Sequence, residues 1–392
     1  MMTAFLFWHL HIILFLDIKL GIVYSSIFLL LIFSFSNMEK AVYTTDNKVR
    51  MYSSETDIEE QLSSIIGEKF VDYRKKWNAV NNFELLTDFP LYLQVELHQI
   101  CNLRCPTCTI GIPEASTKYI TDQHMDWDLY EKIILEAEKY NCPSLNPQGI
   151  NEPLLTPDLE KHIKFASQHG FIDIMMNTNA TLLSEERSKS LLECGLTRMR
   201  FSLDAATEET YKKVRVGGKY DSVMHNIERF IKMRNDAGQK LPVIGVNFVR
   251  SSMNEHEEEL FIQRWENKAD FIAFQEFVPP ETEFDYSSLF PSDSIYRSDM
   301  QDGFNCQQPW QRFFIHNTGE VCPCCAFFSA ELSVGNASTQ SIYDLWHSHD
   351  MNKLRSLHKD GKFWENEWCK KCVVRNCNMN DDTLLKIQST RK

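Results

Sequence analysis

The sequence predicts an α/β fold, a partial (β/α)6 barrel of parallel strands followed by a small cysteine-rich C-terminal domain. Three observations predict it. Between Pro90 and Pro280 strand-like and helix-like stretches alternate six times, the order that builds a parallel sheet with helices outside. Beyond Pro279 and Pro280 the alternation stops. Eight of the twelve cysteines stand in tight groups, 101/105/108, 322/324/325 and 369/372, and two of those groups lie past that stop.

Residues 1–37 hold two apolar runs, "AFLFWHLHIILFL" of 13 residues and "GIVYSSIFLLLIFSF" of 15 residues, separated by a stretch containing Asp17 and Lys19. Each falls short of the roughly 20 residues that span a bilayer. No basic start with a small-residue cleavage site marks a signal peptide. A membrane anchor, an unusual leader and an extension upstream of a chain starting at Met38 all fit. Residues 38–85 are polar, with a helix over Asp57 to Trp77 and no clear alternating-strand pattern. The core, 86–280, opens on the strand "LYLQVEL". In "DWDLYEKIILEAEKY", Ile133, Ile134 and Ala137 share one helix face. "TPDLEKHIKFASQHG" starts with Thr156 as N-cap and Pro157 in the first turn, and stops at Gly170. Strand "FIDIMMN", helix "SEERSKSLLECG", strand "RMRFSL" and helix "YDSVMHNIERFIKMRNDAG" come next. Strand "PVIGVNFV", helix "NEHEEELFIQRWENK" and strand "FIAFQEFV" complete the run. Residues 281–305 read as a linker of turn residues. Residues 306–380 form the cysteine-rich domain, with Trp310, Trp346 and Trp364 as its small core, and 381–392 read as a tail.

A chain of 392 residues can bury one large core and a satellite domain. Its net charge of -13, with no Lys/Arg block, argues against a nucleic-acid partner. Disulfide frameworks belong to small secreted chains, so the clustered thiols here indicate metal capture in a reducing, cytoplasmic setting. The isolated Cys142 and Cys194 read as buried structural thiols.

"CNLRCPTC" sets Cys101, Cys105 and Cys108 on one eight-residue loop after the first core strand. Three thiolates can hold three irons of a cubane and leave the fourth open; iron–sulfur clusters normally take four. Zinc prefers a C-x2-C pair with a distant partner pair. The loop resembles the signature of the radical S-adenosylmethionine enzymes, with Thr107 where those enzymes usually carry an aromatic or bulky residue. The resemblance runs on through the strand–helix repeat and implies a partial TIM-like barrel with a [4Fe–4S] cluster. It also implies reductive cleavage of S-adenosylmethionine to a deoxyadenosyl radical that takes hydrogen from a substrate. In "GINEPLLTP", Glu152 matches the carboxylate that receives the methionyl ammonium, while Asn151 stands in place of a glycine. "MMNTNATLL" places Thr178 and Asn179 near the site. Ser202, Asp204 and Arg215 match the stretch that contacts the cofactor's ribose and carboxylate. Asp204 reads equally well as a cap of the next helix. His98 and His124 flank the cysteine loop, either facing substrate or bonded to backbone and solvent.

The C-terminal cysteines resemble the auxiliary-cluster extension called SPASM or twitch. Cys306, Gly319 and Cys324 fit its opening spacing, and Cys369 with Cys372 supply the later C-x2-C. These four thiolates imply one auxiliary [4Fe–4S] cluster without an open iron, suited to electron transfer. Cys322 and Cys325, with Cys369 and Cys372, make the alternative zinc set, and Cys377 is a further candidate ligand. The resemblance implies hydrogen abstraction from a small organic substrate such as a sugar or aminosugar, fed by a donor such as flavodoxin or ferredoxin. A peptide-modifying maturase is the second enzyme reading, and a zinc-stabilised binding protein the non-enzyme one. Membrane association would come only through residues 1–37.

Overall fold

A computed structural model describes residues 41–44, 49–52, 57–112, 122–279, 286–292, 305–376 and 381–390. Two compact units divide the chain, Met1–Val42 and Tyr43–Lys392, and the fold that follows belongs to the second, apart from Ala41 and Val42 at the start of the first strand. The two apolar runs, most of the linker and Cys377 lie outside the described residues. Among the described residues no helix is long and apolar enough to cross a membrane.

The strands are β1 (Ala41–Thr44), β2 (Val49–Tyr52), β3 (Tyr92–Val95), β4 (Ser144–Asn146), β5 (Asp173–Thr178), β6 (Arg198–Ser202), β7 (Val243–Arg250), β8 (Phe271–Glu276), β9 (Arg312–Ile315), β10 (Glu320–Cys322) and β11 (Gly335–Asn336). From β3 to β8 each strand lies parallel beside the next in sequence. Sequential parallel neighbours with helical crossovers are the predicted barrel arrangement. The barrel does not close. β8 pairs antiparallel with β2, and β3 pairs parallel with β9.

Local chemistry explains most of these elements. β7 is almost continuously apolar and buried along its length, as parallel strands covered on both faces require. Ile133, Ile134 and Ala137 are all buried on helix Trp127–Lys139, against Leu145, Ile163 and Ile174 of the main core. Ser184 and Thr207 cap the helices Glu185–Glu193 and Glu208–Val214 by accepting from Arg187 N and Thr210 N. Gly170, at φ +91°, ends the helix Leu159–Gln168. Thr156 does not cap that helix; Asp158 occupies the cap, without a side-chain bond. Glu152 and Pro153 start a 3-10 turn of their own, which Thr156 terminates.

The N-terminal region differs from its sequence reading in two respects. Its helix is two helices, Ile58–Ile66 and Glu68–Asn81, broken at Gly67 with φ +86°. It also carries β1 and β2, four residues each, too short for an alternation to stand out. The helices bury Phe70, Tyr73 and Trp77 against Tyr92, Val243 and Phe271, which begin β3, β7 and β8. They close the N-terminal mouth of the barrel. The opposite rim, at the strand C-termini, carries the functional loops.

The C-terminal region joins the barrel instead of standing apart. β9 sits beside β3 in register from Tyr92↔Arg312 to Val95↔Ile315, and β10 and β11 continue the sheet antiparallel. The three predicted core tryptophans consequently separate. Trp346 packs edge-on against Phe313 in the main core, its indole donating to Thr87 O at 2.7 Å. Trp310 joins the N-terminal helices beside Phe83. Only Trp364 packs in the C-terminal cluster. Residues 381–390, expected as tail, form a helix whose Leu384 and Ile387 are buried beside Cys369.

Candidate active site

The cysteine loop leaves β3 at the open rim and is held by backbone bonds at both ends. Glu152 N donates to Ile100 O at 2.9 Å, and Arg104 N to Val216 O at 2.9 Å. Successive turns run from Cys108 N to Cys105 O and from Gly111 N to Cys108 O. Gly111 is required here, because a Cβ would stand 2.0 Å from Cys105 O. Gly111→Ala is expected to cost about 1–3 kcal/mol of local overpacking and to lower the iron held per chain after anaerobic reconstitution.

Each of the first two sulfurs receives donors. Leu103 N and Asn179 Nδ2 reach Cys101 Sγ at 3.4 and 3.9 Å, and Arg215 Nη1 reaches Cys105 Sγ at 3.8 Å. Burial pushes the Cys101 thiol up to about 11 and raises Cys105 as well, and the charge of Cys108 reaches both. Three thiols on one short loop, two of them met by cationic or amide donors, suit thiolates that release protons on taking up metal.

The six predicted cofactor residues fall into two groups and one single residue. Glu152 is buried; its carboxylate accepts from Thr178 Oγ1 at 2.6 Å, Asn179 N at 2.7 Å and Leu154 N at 3.1 Å. Burial raises its pKa, against the pull of Asn179 N–H and the Thr178 hydroxyl. Asp204 and Arg215 form the second group, an ion pair at 2.6 Å between a buried carboxylate and a half-buried guanidinium. Asp204 has φ +58° and accepts from Val249 N at 2.8 Å. It caps no helix, since Thr207 takes that place. Removing one member of a largely buried pair strands the other charge, so Asp204→Ala is expected to destabilise the fold by about 3–5 kcal/mol, read as a lower denaturation midpoint. Ser202, half-buried opposite Asn247 at the end of β6, is bonded to neither group.

A cavity of about 410 Å³ opens beside the loop, lined by Cys105, Cys108, Asp204, Arg215, Gln275 and Phe277 among others. His98 is buried and accepts from Ile100 N at 3.0 Å; Asn151 Nδ2 lies 3.3 Å from its other nitrogen. Burial pushes it down to about 4, so it is a neutral structural histidine. The ring of His124 lies 5.1 Å away.

Sequence reasoning missed Glu96 and its partners. This fully buried carboxylate accepts from Ile150 N at 2.7 Å and Gln99 Nε2 at 2.8 Å, and meets His316 Nδ1 at 2.9 Å. It ties the cysteine loop, the Glu152 loop and the end of β9 together. Gly149 must be glycine, because a Cβ would stand 2.1 Å from Glu96 Oε1. The signal was present: a carboxylate inside the apolar "LYLQVEL" needs buried partners.

The C-terminal thiols sort themselves by proximity. Cys324 feels the charges of Cys306, Cys325 and Cys372, and Cys369 those of Cys306 and Cys372. Burial pushes Cys306 up to about 11 and raises Cys324 and Cys369 further. Cys322 is buried beside Ser329, with Glu320 and Glu96 near it. The Cys325 thiol donates to Gln308 Oε1 at 3.6 Å. Among the described residues no three His, Cys, Asp or Glu side chains converge closely enough for a single ion. The donors at both ends are thiols, the ligand type that iron–sulfur clusters take.

Comparisons with known proteins agree with this division. Residues 95–248 match the Radical SAM superfamily, and residues 306–373 match the SPASM iron–sulfur cluster-binding domain. A GTP 3′,8-cyclase from Clostridium botulinum is 30% identical over 189 residues, 48% of this chain and 56% of that protein. A tungsten-containing aldehyde ferredoxin oxidoreductase cofactor-modifying protein from Pyrococcus furiosus is 32% identical over 169 residues, 42% and 44% of the two chains. The chain thus spans about half the length of the curated relatives it matches. Among solved structures, anSMEcpe with bound AdoMet aligns with a TM-score of 0.55 at 16% identity, covering 77% of this chain and 92% of that one. The same protein with AdoMet and a Kp18Cys peptide aligns at 0.52 and 15% identity, covering 76% and 97%. Both likenesses concern the fold. With the cysteine loop and the C-terminal thiols inside matched regions, the chain carries a radical SAM domain over residues 95–248, which implies a [4Fe–4S] cluster and S-adenosylmethionine, and a C-terminal SPASM iron–sulfur domain over residues 306–373.

Proposed function

We propose that this enzyme removes hydrogen from a small organic substrate seated in the cavity beside the Cys105 loop, and passes an electron to or from one auxiliary [4Fe–4S] cluster. The observation that carries this reading is the cavity itself, which two triad thiols and the Asp204–Arg215 pair line together. Cys101, Cys105 and Cys108 hold the first cluster; Cys306, Cys324, Cys369 and Cys372 hold the auxiliary one. The first cluster with S-adenosylmethionine supplies the one-electron chemistry. Arg215 offers a fixed cation for the cofactor's carboxylate, and Thr178, Asn179 and Ser202 line its path. Glu152 receives the cofactor's ammonium: Oε1 accepts from Thr178 and Leu154 and Oε2 only from Asn179, which leaves acceptor capacity on the carboxylate. Helices that plug the far mouth keep water from the chamber.

The matched relatives' names support a small substrate, one naming GTP and the other a cofactor. Among the described residues none lining the cavity selects a sugar or aminosugar. A peptide is the second reading, favoured by the strands and paired helices of residues 41–81, where the sequence suggested no strand. A flavodoxin or ferredoxin in the cytoplasm would supply electrons. Anaerobic reconstitution with iron and sulfide tests the whole reading: about eight irons per chain and deoxyadenosine formed under reductant are expected. A low-molecular-weight extract should stimulate that formation more than a peptide pool. A colourless zinc protein that forms no deoxyadenosine would end both readings.

A further inference from the structure

The auxiliary thiols have a neighbour that no motif includes. His358, in the last turn of helix His349–Lys359, is 2% exposed. Its Nε2 lies 3.3 Å from Cys369 Sγ. Among the described residues its buried Nδ1 has no hydrogen-bond partner. The surroundings are apolar: Leu354, Phe363 and Val373 pack with Cys369 in one cluster. A leucine would fill this volume without desolvating an imidazole. Enclosing a polar ring that makes one side-chain contact points to a purpose for that contact.

A thiolate bound to iron carries no proton and can only accept. The proton between the two atoms therefore sits on Nε2, which fixes the tautomer and leaves Nδ1 as the bare acceptor. Such a bond draws electron density from the sulfur and eases the arrival of an electron on the cluster, because hydrogen bonds to the sulfurs are among the protein's levers on cluster potential. We propose that His358 is a positioning residue of the auxiliary site, donating from Nε2 to Cys369 and raising the potential of the cluster that Cys369 helps to hold. This rests on the ligand set given above for the auxiliary cluster.

The test uses the full chain with Cys101, Cys105 and Cys108 replaced by alanine, so that iron and paramagnetic signals come from the auxiliary site alone. Iron per chain and the midpoint potential, by an anaerobic titration followed by electron paramagnetic resonance, are compared for this parent and for His358→Leu and His358→Gln. The leucine variant is expected to keep its iron and to shift to a more negative midpoint. Glutamine, whose amide N–H reaches to a similar place, should return it toward the parent. Iron lost from the leucine variant but kept by glutamine would also support donation to Cys369. Equal midpoints in all three, or iron lost from both variants, would overturn the proposal and leave His358 a packing residue. Cys369→Ala in the same parent separates the two claims: full iron retention there would remove Cys369 from the ligand set, whatever His358 does.

Discussion

Cys105→Ala is expected to abolish deoxyadenosine formation, by a factor on the order of a thousand, or about 4 kcal/mol in barrier height. Cys105 is the buried member of the triad, and its sulfur is the one that Arg215 reaches. Two thiolates cannot hold three irons, so the corner that would receive the nucleotide is not formed. Arg215, still paired with Asp204, loses the sulfur charge it also serves. The measurement is deoxyadenosine released under chemical reductant, with iron counted in the same sample. Near-native release from a correctly folded variant would take the radical chemistry away from this loop.

Cys372→Ala should give the opposite division of effects. The triad and its cavity contain no contribution from the C-terminal thiols, so reductive cleavage of S-adenosylmethionine is expected to continue. Iron per chain should fall by about four, and product turnover should stop because the electron has no second cluster to reach. Chromatography of deoxyadenosine and product from one reaction reads both. Full turnover in this variant would discard the electron-transfer role.

The barrel and the triad were legible in the sequence because both are local. A strand such as "VIGVNFV" shows its burial in its own composition, and three cysteines on eight residues need no distant partner to be noticed. What joins remote segments was not legible. The Glu96–His316 contact spans 220 residues, and neither residue carries a periodic signal. The pairing of β9 with β3 rests on an arginine and three residues of ordinary apolar character, which could have formed a strand of any sheet. Asp204 shows the same limit at the site: its spacing before a helix suits a cap, but its left-handed backbone turns the carboxylate toward Arg215. Cys322 belongs to a persuasive C-x2-C with Cys325, yet on β10 it is buried beside Ser329.

The shared edge between β3 and β9 has a consequence for how this molecule can be divided. Severed ahead of Asn305, the barrel would be an unfinished sheet, its first strand stripped of a ladder of main-chain bonds and free to recruit stray polypeptide. The cluster-bearing extension is thus a structural shareholder in the catalytic half, and losing it would injure the half that remains.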